Sequence, residues 1–167
     1  LLTLDVFSIG NQRYEGIAVS PISVTLDASM ETAPVAAGQN NTRIASFNIL
    51  NGATEAVLFD SLGLINRGTS LLNNVQLRND NTPLGMAQAT LPPNGGGGTF
   101  AINPSLRIEP GQTKRITVSA DLPVTCSGRS VLIHFSNYHA VGANSATTFS
   151  GPVTPVEGPQ LTCRGAQ

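Results

Sequence analysis

The sequence predicts an all-β protein: an antiparallel immunoglobulin-like/jelly-roll-type β-sandwich with an N-terminal strand-like arm. Apolar residues recur at every second position in successive short segments, the period of half-buried strands, and no window of helical length shows a 3.6-residue repeat. Turn signals such as Asn51-Gly52, Arg67-Gly68 and Pro110-Gly111 separate those segments at sandwich-like spacing. Residues 102–123 (INPSLRIEPGQTKRITVSADLP) show both features at once. Leu106 and Ile108 share a face before the Pro-Gly corner, and Ile116, Val118 and Ala120 share one after it. Pro110 presets φ and Gly111 supplies positive φ, so residues 109–112 read as a type II turn, and the stretch reads first as a hairpin. A Pro-Gly corner of this kind also serves to cross between sheets, and the turn residues alone do not choose.

Residues 1–9 (LLTLDVFSI) carry apolar groups on both faces, with Leu2, Leu4 and Val6 against Leu1, Phe7 and Ile9. They read as a strand covered on both sides and ended by Gly10-Asn11. On this reading residues 1–10 form the arm and 11–167 the sandwich domain. Residues 17–27 are extended but broken by Pro21, which suggests an edge strand or one that changes sheets. Residues 43–50 (RIASFNIL) place Ala45, Phe47 and Ile49 on one face. In residues 55–66 the alternation slips near 60–63, where a bulge lets Val57 and Phe59 share the core with Leu62 and Leu64. Val75 and Leu77 point inward from the next strand, and a tight turn at 79–82 leads to a short strand near 84–89. Residues 91–98 (LPPNGGGG) are expected to be a surface loop unable to hold a strand. A phosphate cradle fits this loop poorly, because no Lys-Ser/Thr follows and no helix starts. Val131, Ile133 and Phe135 then share the core face of a strand at 129–139, and short polar-alternating pieces follow it.

The order of these motifs resembles an immunoglobulin-like domain repeated in large surface proteins of candidate-phyla bacteria. The resemblance runs through VTLD, APVAAGQNNTRIASFNI, EAV, LLNNVQLRND, FAINPSLRIEPGQTKRITVSADLP and SGPVTPVEG, covering about residues 22–158. It implies an extracellular, non-catalytic, structural or adhesive role. The arm and the Cys126/Cys163 pair depart from the pattern.

Composition narrows the partners. Only 11% of the 167 residues are charged and the net charge is −1, which argues against nucleic acid and against a polybasic membrane contact. No apolar run approaches a membrane span. Cys126 and Cys163, without a CxxC or clustered histidine, are expected to form a disulfide in an oxidising compartment, against the competing reading of two buried thiols in a cytosolic protein. The sequence begins at Leu1 without methionine or a charged leader, as expected for an exported chain whose signal has been removed, or for a fragment.

His134 and His139, five apart in a strand, are expected on opposite faces and so hold no metal together. Residues 79–81 lack the spacing of a calcium loop. There is no GxSxG, and the acidic residues Glu15, Glu31, Glu55, Glu109 and Glu157 fall at turns or strand ends rather than in a carboxylate pair. No enzyme activity, cofactor or metal is expected. Asn40-Asn41-Thr42 is an N-glycosylation sequon, with Asn40 as an ordinary turn residue the alternative. With no Trp and two Tyr, stacking on sugars has little support.

Two functions remain. The first is a structural subunit of an extracellular, pilus-like filament or surface assembly, a homopolymer joined head to tail by donor-strand addition. Leu1, Leu2, Leu4, Val6, Phe7 and Ile9 would form the donor strand, and Leu106, Ile108, Ile116 and Val118 are core residues and candidate groove walls. The second is a monomeric binding module or adhesin acting through loops such as 91–98 and 140–145. Against strand exchange stands the possibility that the arm folds back and pairs with residues 17–24 of its own sandwich.

Overall fold

The computed structural model describes residues 3–9, 12–18, 21–30, 32–152 and 154–165, with side chains described from residue 21 onward. In chain order the strands are β1 (Thr3–Ile9), β2 (Gln12–Ala18), β3 (Ile22–Leu26), β4 (Val35–Ala36), β5 (Thr42–Asn51), β6 (Val57–Asn66), β7 (Leu72–Asn79) and β8 (Thr82–Pro83). They continue as β9 (Gln88–Leu91), β10 (Gly96–Ile108), β11 (Thr113–Asp121), β12 (Ser130–Val131), β13 (Ile133–Gly142), β14 (Thr148–Gly151), β15 (Val156–Glu157) and β16 (Leu161–Arg164). A 3₁₀ turn at Val124–Cys126 precedes β12.

Two antiparallel sheets form the sandwich. One runs β3-β5-β11-β7, with β8 and β9 both on β7; the other runs β10-β6-β13, with β14 and β15 both on β13. With β3, β5, β6, β7, β11, β13 and β14/β15 taken as strands A to G, this is the ABED and CFG pairing of immunoglobulin sandwiches. The extra strand β10 lies outside C. β14 and β15 act as one G strand interrupted at a Gly151-Pro152 break, since both ladder onto β13.

Alternation places the core between the sheets. From β5 come Ala45, Phe47 and Ile49; from β11, Ile116, Val118 and Ala120; from β6 and β13, Phe59, Leu62, Leu64, Ile133 and Phe135, all buried. The Phe47 and Phe135 rings meet edge-on across the sheets at 5.5 Å between centroids, and Phe59 and Tyr138 lie at 5.4 Å. Each such fully buried side chain contributes on the order of 1.5–3 kcal/mol. The bulge in β6 falls where the alternation slips: the β6–β10 and β6–β13 registers both shift beside Asp60, so Val57 and Phe59 face inward with Leu62 and Leu64.

Three expectations are corrected. The corner at 109–112 has the expected turn, with Gln112 N–H donating to Glu109 O at 3.0 Å and Gly111 at φ +71°. It is not a hairpin, because β10 pairs with β6 while β11 pairs with β5 and β7. The chain therefore crosses from one sheet to the other. Within residues 91–98 only 92–95 turn, with Asn94 and Gly95 at positive φ. Gly96, Gly97 and Gly98 are strand, laddered to Asn66, Ile65 and Leu64. Absence of side chains serves packing here, since a Cβ on Gly98 would overlap the Gln88 amide and one on Gly96 the Pro92 carbonyl. Near 84–89, β8 and β9 flank an irregular stretch instead of forming one strand.

The two corners that bracket β6, from β5 to β6 and from β6 to β7, are built on buried asparagines. Asn51, the last residue of β5, accepts from Ala53 N–H at 2.9 Å, and its Nδ2 donates to Glu55 O and Ile108 O, each at 2.9 Å. Asn66, the last residue of β6, repeats the pattern. It accepts from Gly68 N–H at 3.0 Å and donates to Ser70 O at 2.9 Å and Leu91 O at 3.1 Å. Each amide therefore closes its own turn and ties it to a third segment far along the chain.

Candidate functional site

The arm is found in a sheet of its own. β1 and β2 pair antiparallel, from Thr3 opposite Ala18 to Ile9 opposite Gln12, and among the described residues neither ladders with any other strand. The competing fold-back onto residues 17–24 is met only at its start: β1 pairs with Gln12–Ala18, with Leu4 opposite Ile17 and Thr3 opposite Ala18, whereas Ile22–Leu26 pairs with β5. Pro21 lies between these two strands, where its missing N–H costs neither ladder a bond. Among the described residues β3 is the first strand laddered into the sandwich. Leu4, Val6, Phe7 and Ile9 lie on β1; Leu1, Leu2 and the Gly10-Asn11 turn fall outside the described residues.

The candidate groove residues are in the interior. Ile108, Ile116 and Val118 are fully buried and Leu106 nearly so, packed in the single core cluster. Positions A to G are all filled by strands of this chain, so the sandwich is not short of a strand. Two strands carry a ladder on one side only among the described residues: β3, paired with β5, and β10, paired with β6 and met on its other side by Gln88, whose Nε2 donates to Thr99 O. Beside β10 lies a depression of about 510 Å³ lined by Met86, Ala87, Phe100 and Ala101 among others. Met86 is 89% exposed there, the most exposed large apolar side chain described.

The disulfide is present. Cys126 and Cys163 are bonded with Cα atoms 5.8 Å apart, and both are buried. The bond fastens β16, which ladders only to the short strands β12 and β4, to the segment leaving β11. Asn40 is exposed in the bend before β5. His134 and His139 both lie on the outward side of β13, not on opposite faces. A register shift between Phe135 and Asn137 adds a residue, so the inward series runs Ile133, Phe135, Tyr138, Ala140. His139 Nδ1 sits 2.8 Å from Asp60 Oδ2, and no group of three metal-ligating side chains occurs among the described residues.

Two carboxylates have built surroundings. Asp27, buried at the end of β3, accepts from the Ser29 hydroxyl at 2.7 Å, Ser29 N–H at 3.0 Å and the Ser46 hydroxyl at 3.0 Å, with Arg43 at 3.4 Å. The Ser29 hydroxyl leads, over the opposing effect of burial, in holding its carboxyl below the ordinary 3.8. Glu55 accepts from the Ser145 hydroxyl and from Asn144 and Ser145 N–H, which lowers its carboxyl below 4.5 and pins the β13–β14 turn. The folded state therefore binds these protons less tightly than the unfolded chain. The resulting stabilisation is full above about pH 4.5 and is lost as pH falls through the lowered folded values. The urea midpoint of the native chain is expected to be lower at pH 3 than at pH 7, and the difference to be smaller for Asp27→Asn.

The strand pairing defines an antiparallel immunoglobulin-like β-sandwich. No family model and no curated protein matches the chain. Among solved structures it is distantly similar to an ASH/PapD-like domain of human CEP192, at 10% identity over 89% of this chain and 87% of that one, TM-score 0.37. It is likewise similar to a DUF4466 family protein from Parabacteroides merdae, at 10% identity over 83% and 46%, TM-score 0.35. A family 123 glycoside hydrolase from Clostridium perfringens matches at 10% identity over 88% and 28%, TM-score 0.32. The chain thus spans less than half of each of the latter two.

Proposed function

We propose that this chain is a non-catalytic structural subunit of an extracellular filament or surface assembly, joined to copies of itself by strand addition of the N-terminal hairpin. The observation that carries the reading is the β1–β2 sheet, whose strands ladder only to each other among the described residues. A two-stranded ribbon is marginal alone in water and gains stability from a third strand or an apolar cover. The sequence of β1, apolar at alternate positions on both faces, asks for both. Because positions A to G are already filled, the joint is an edge addition and not the filling of a vacancy. Edge β10 is the better acceptor than β3: it has 13 residues against five, and the exposed Met86 stands beside it. Main-chain bonds supply the strength of such a joint and side-chain pockets its register. The resemblance of the strand motifs to domains of bacterial surface proteins supports the same setting, as does the disulfide.

Deleting residues 1–20 tests this. The truncated chain is expected to stay folded and monomeric by sedimentation, and a synthetic LLTLDVFSI peptide is expected to bind it. Loss of the folded state on truncation, without rescue by peptide, would identify the arm as an internal part of the sandwich and end the proposal.

A further inference from the structure

We propose that the outward face of the β5-β11-β7 sheet binds an acidic glycan, an oligosaccharide bearing carboxylate or sulfate groups. This chain has nine Lys and Arg in all, and three of them, Arg43, Arg78 and Arg115, line one depression of about 360 Å³ together with Asp80, Thr117 and Ser119. The registers explain the gathering. Arg43 on β5 is opposite Ser119, and Arg78 on β7 is opposite Thr117, so two guanidinium groups flank the β11 hydroxyls from either side. Arg115 lies two positions before Thr117 on β11, on the same face.

Local partners answer this charge only in part, two carboxylates for three guanidinium groups. Arg43 reaches Asp27 and Arg115 reaches Asp80 by single contacts, each at 3.4 Å. Arg78 donates to Gln76 Oε1 at 2.7 Å and to Asn81 O at 3.3 Å, while its Nε is buried without a hydrogen-bond partner. A guanidinium offers five donors in a planar fork that matches a carboxylate or sulfate in two-point fashion. Asp80 is the carboxylate among the residues lining the depression; with Asp27 on Arg43 and Asp80 on Arg115, one positive charge is left unmatched, and like charges gathered on one face repel one another. An oxyanion seated between them relieves that repulsion, and the half-buried Thr117 hydroxyl suits a hydroxyl of the sugar that carries it. Nucleic acid fits less well, because no aromatic side chain lines the depression to stack on bases and the chain as a whole is net negative. The face lies in the middle of a sheet and not at an edge, so it is independent of the strand-addition joint.

The test is titration calorimetry with four probes: oligogalacturonate, a heparin oligosaccharide, a neutral dextran oligomer and single-stranded DNA. One or both acidic glycans are expected to bind, the first marking a carboxylate site and the second a sulfate site, and to weaken as salt rises. The triple variant R43Q/R78Q/R115Q is expected to lose about tenfold or more in affinity. Asp80→Asn, which removes the competing carboxylate, is expected to tighten binding, and Arg107→Gln, on β10 in the other sheet, to leave it unchanged. The proposal is overturned if neither acidic glycan binds, if binding survives the triple substitution in a folded protein, or if dextran or DNA binds as tightly.

Discussion

Replacing Asn51 with leucine is expected to lower the unfolding free energy by about 2–4 kcal/mol, because one buried and two partly buried backbone groups lose their partner at once. The amide accepts from Ala53 N–H and donates to Glu55 O and Ile108 O, and none of these is replaced by a hydrocarbon of similar size. The main chain of the same residue braces the second corner, and the substitution leaves those bonds in place. Asn51 N–H donates to Gln112 O at 3.0 Å and Gly111 N–H donates to Asn51 O at 2.7 Å, so the turn from β5 to β6 and the turn from β10 to β11 are braced by one residue. Asn51→Asp should be nearly as damaging, since it keeps the acceptor for Ala53 but turns an oxygen toward two carbonyls. Asn66→Leu removes the matching brace at the opposite end of β6 and should fall in the same range. Asn144→Ala is the control. That side chain is exposed and only its backbone N–H is used, by Glu55, so a change within about 0.5 kcal/mol is expected. Urea denaturation with an unchanged slope measures all four.

The second large effect is loss of the disulfide. The bond closes a sequence separation of 37, and the chain-entropy model assigns a loop of that length about 4 kcal/mol. The expected consequence of Cys126→Ala/Cys163→Ala is a loss of that order, seen as a fall in thermal midpoint. It should also be uneven. β16 pairs over two residues with β12 and two with β4, with further main-chain bonds to Ala37, Gly128 and Arg129; these ladders are short, so without the disulfide limited proteolysis should release β16 before the sandwich opens. Equal protection of residues 161–164 with and without the bond would show that the short ladders suffice.

The strands with regular alternation were the legible part of this fold. Ala45, Phe47 and Ile49 on β5 and Val131, Ile133 and Phe135 along β12 and β13 show their inward faces in the spacing alone, and the slip at 60–63 marks its own bulge. Features set by distant partners were not legible. The Pro110-Gly111 turn has the same local geometry whether it closes a hairpin or crosses between sheets, and what decides is that Asn51 captures it from another strand. Gly96 to Gly98 look like loop by composition because composition weighs chain entropy and not the crowded neighbours that exclude a Cβ. One bulge beyond Phe135 moves His139 to the face of His134. Asn51-Gly52 and Asn66-Arg67-Gly68 are readable as turns, but the burial of their amides depends on Ile108 and Leu91. Arg43, Arg78 and Arg115 stand 35 and 37 positions apart, and only the order β5-β11-β7 gathers them. For the arm, the apolar pattern of residues 1–9 was visible from the start, while its pairing with Gln12–Ala18 in a separate sheet was not.

Electron microscopy of the intact purified chain, imaged from dilute to concentrated solution, tests the central claim most directly. Strand addition by the β1–β2 hairpin predicts unbranched fibres that lengthen with concentration, with one sandwich per repeat. Isolated particles of monomer size at every concentration would contradict it.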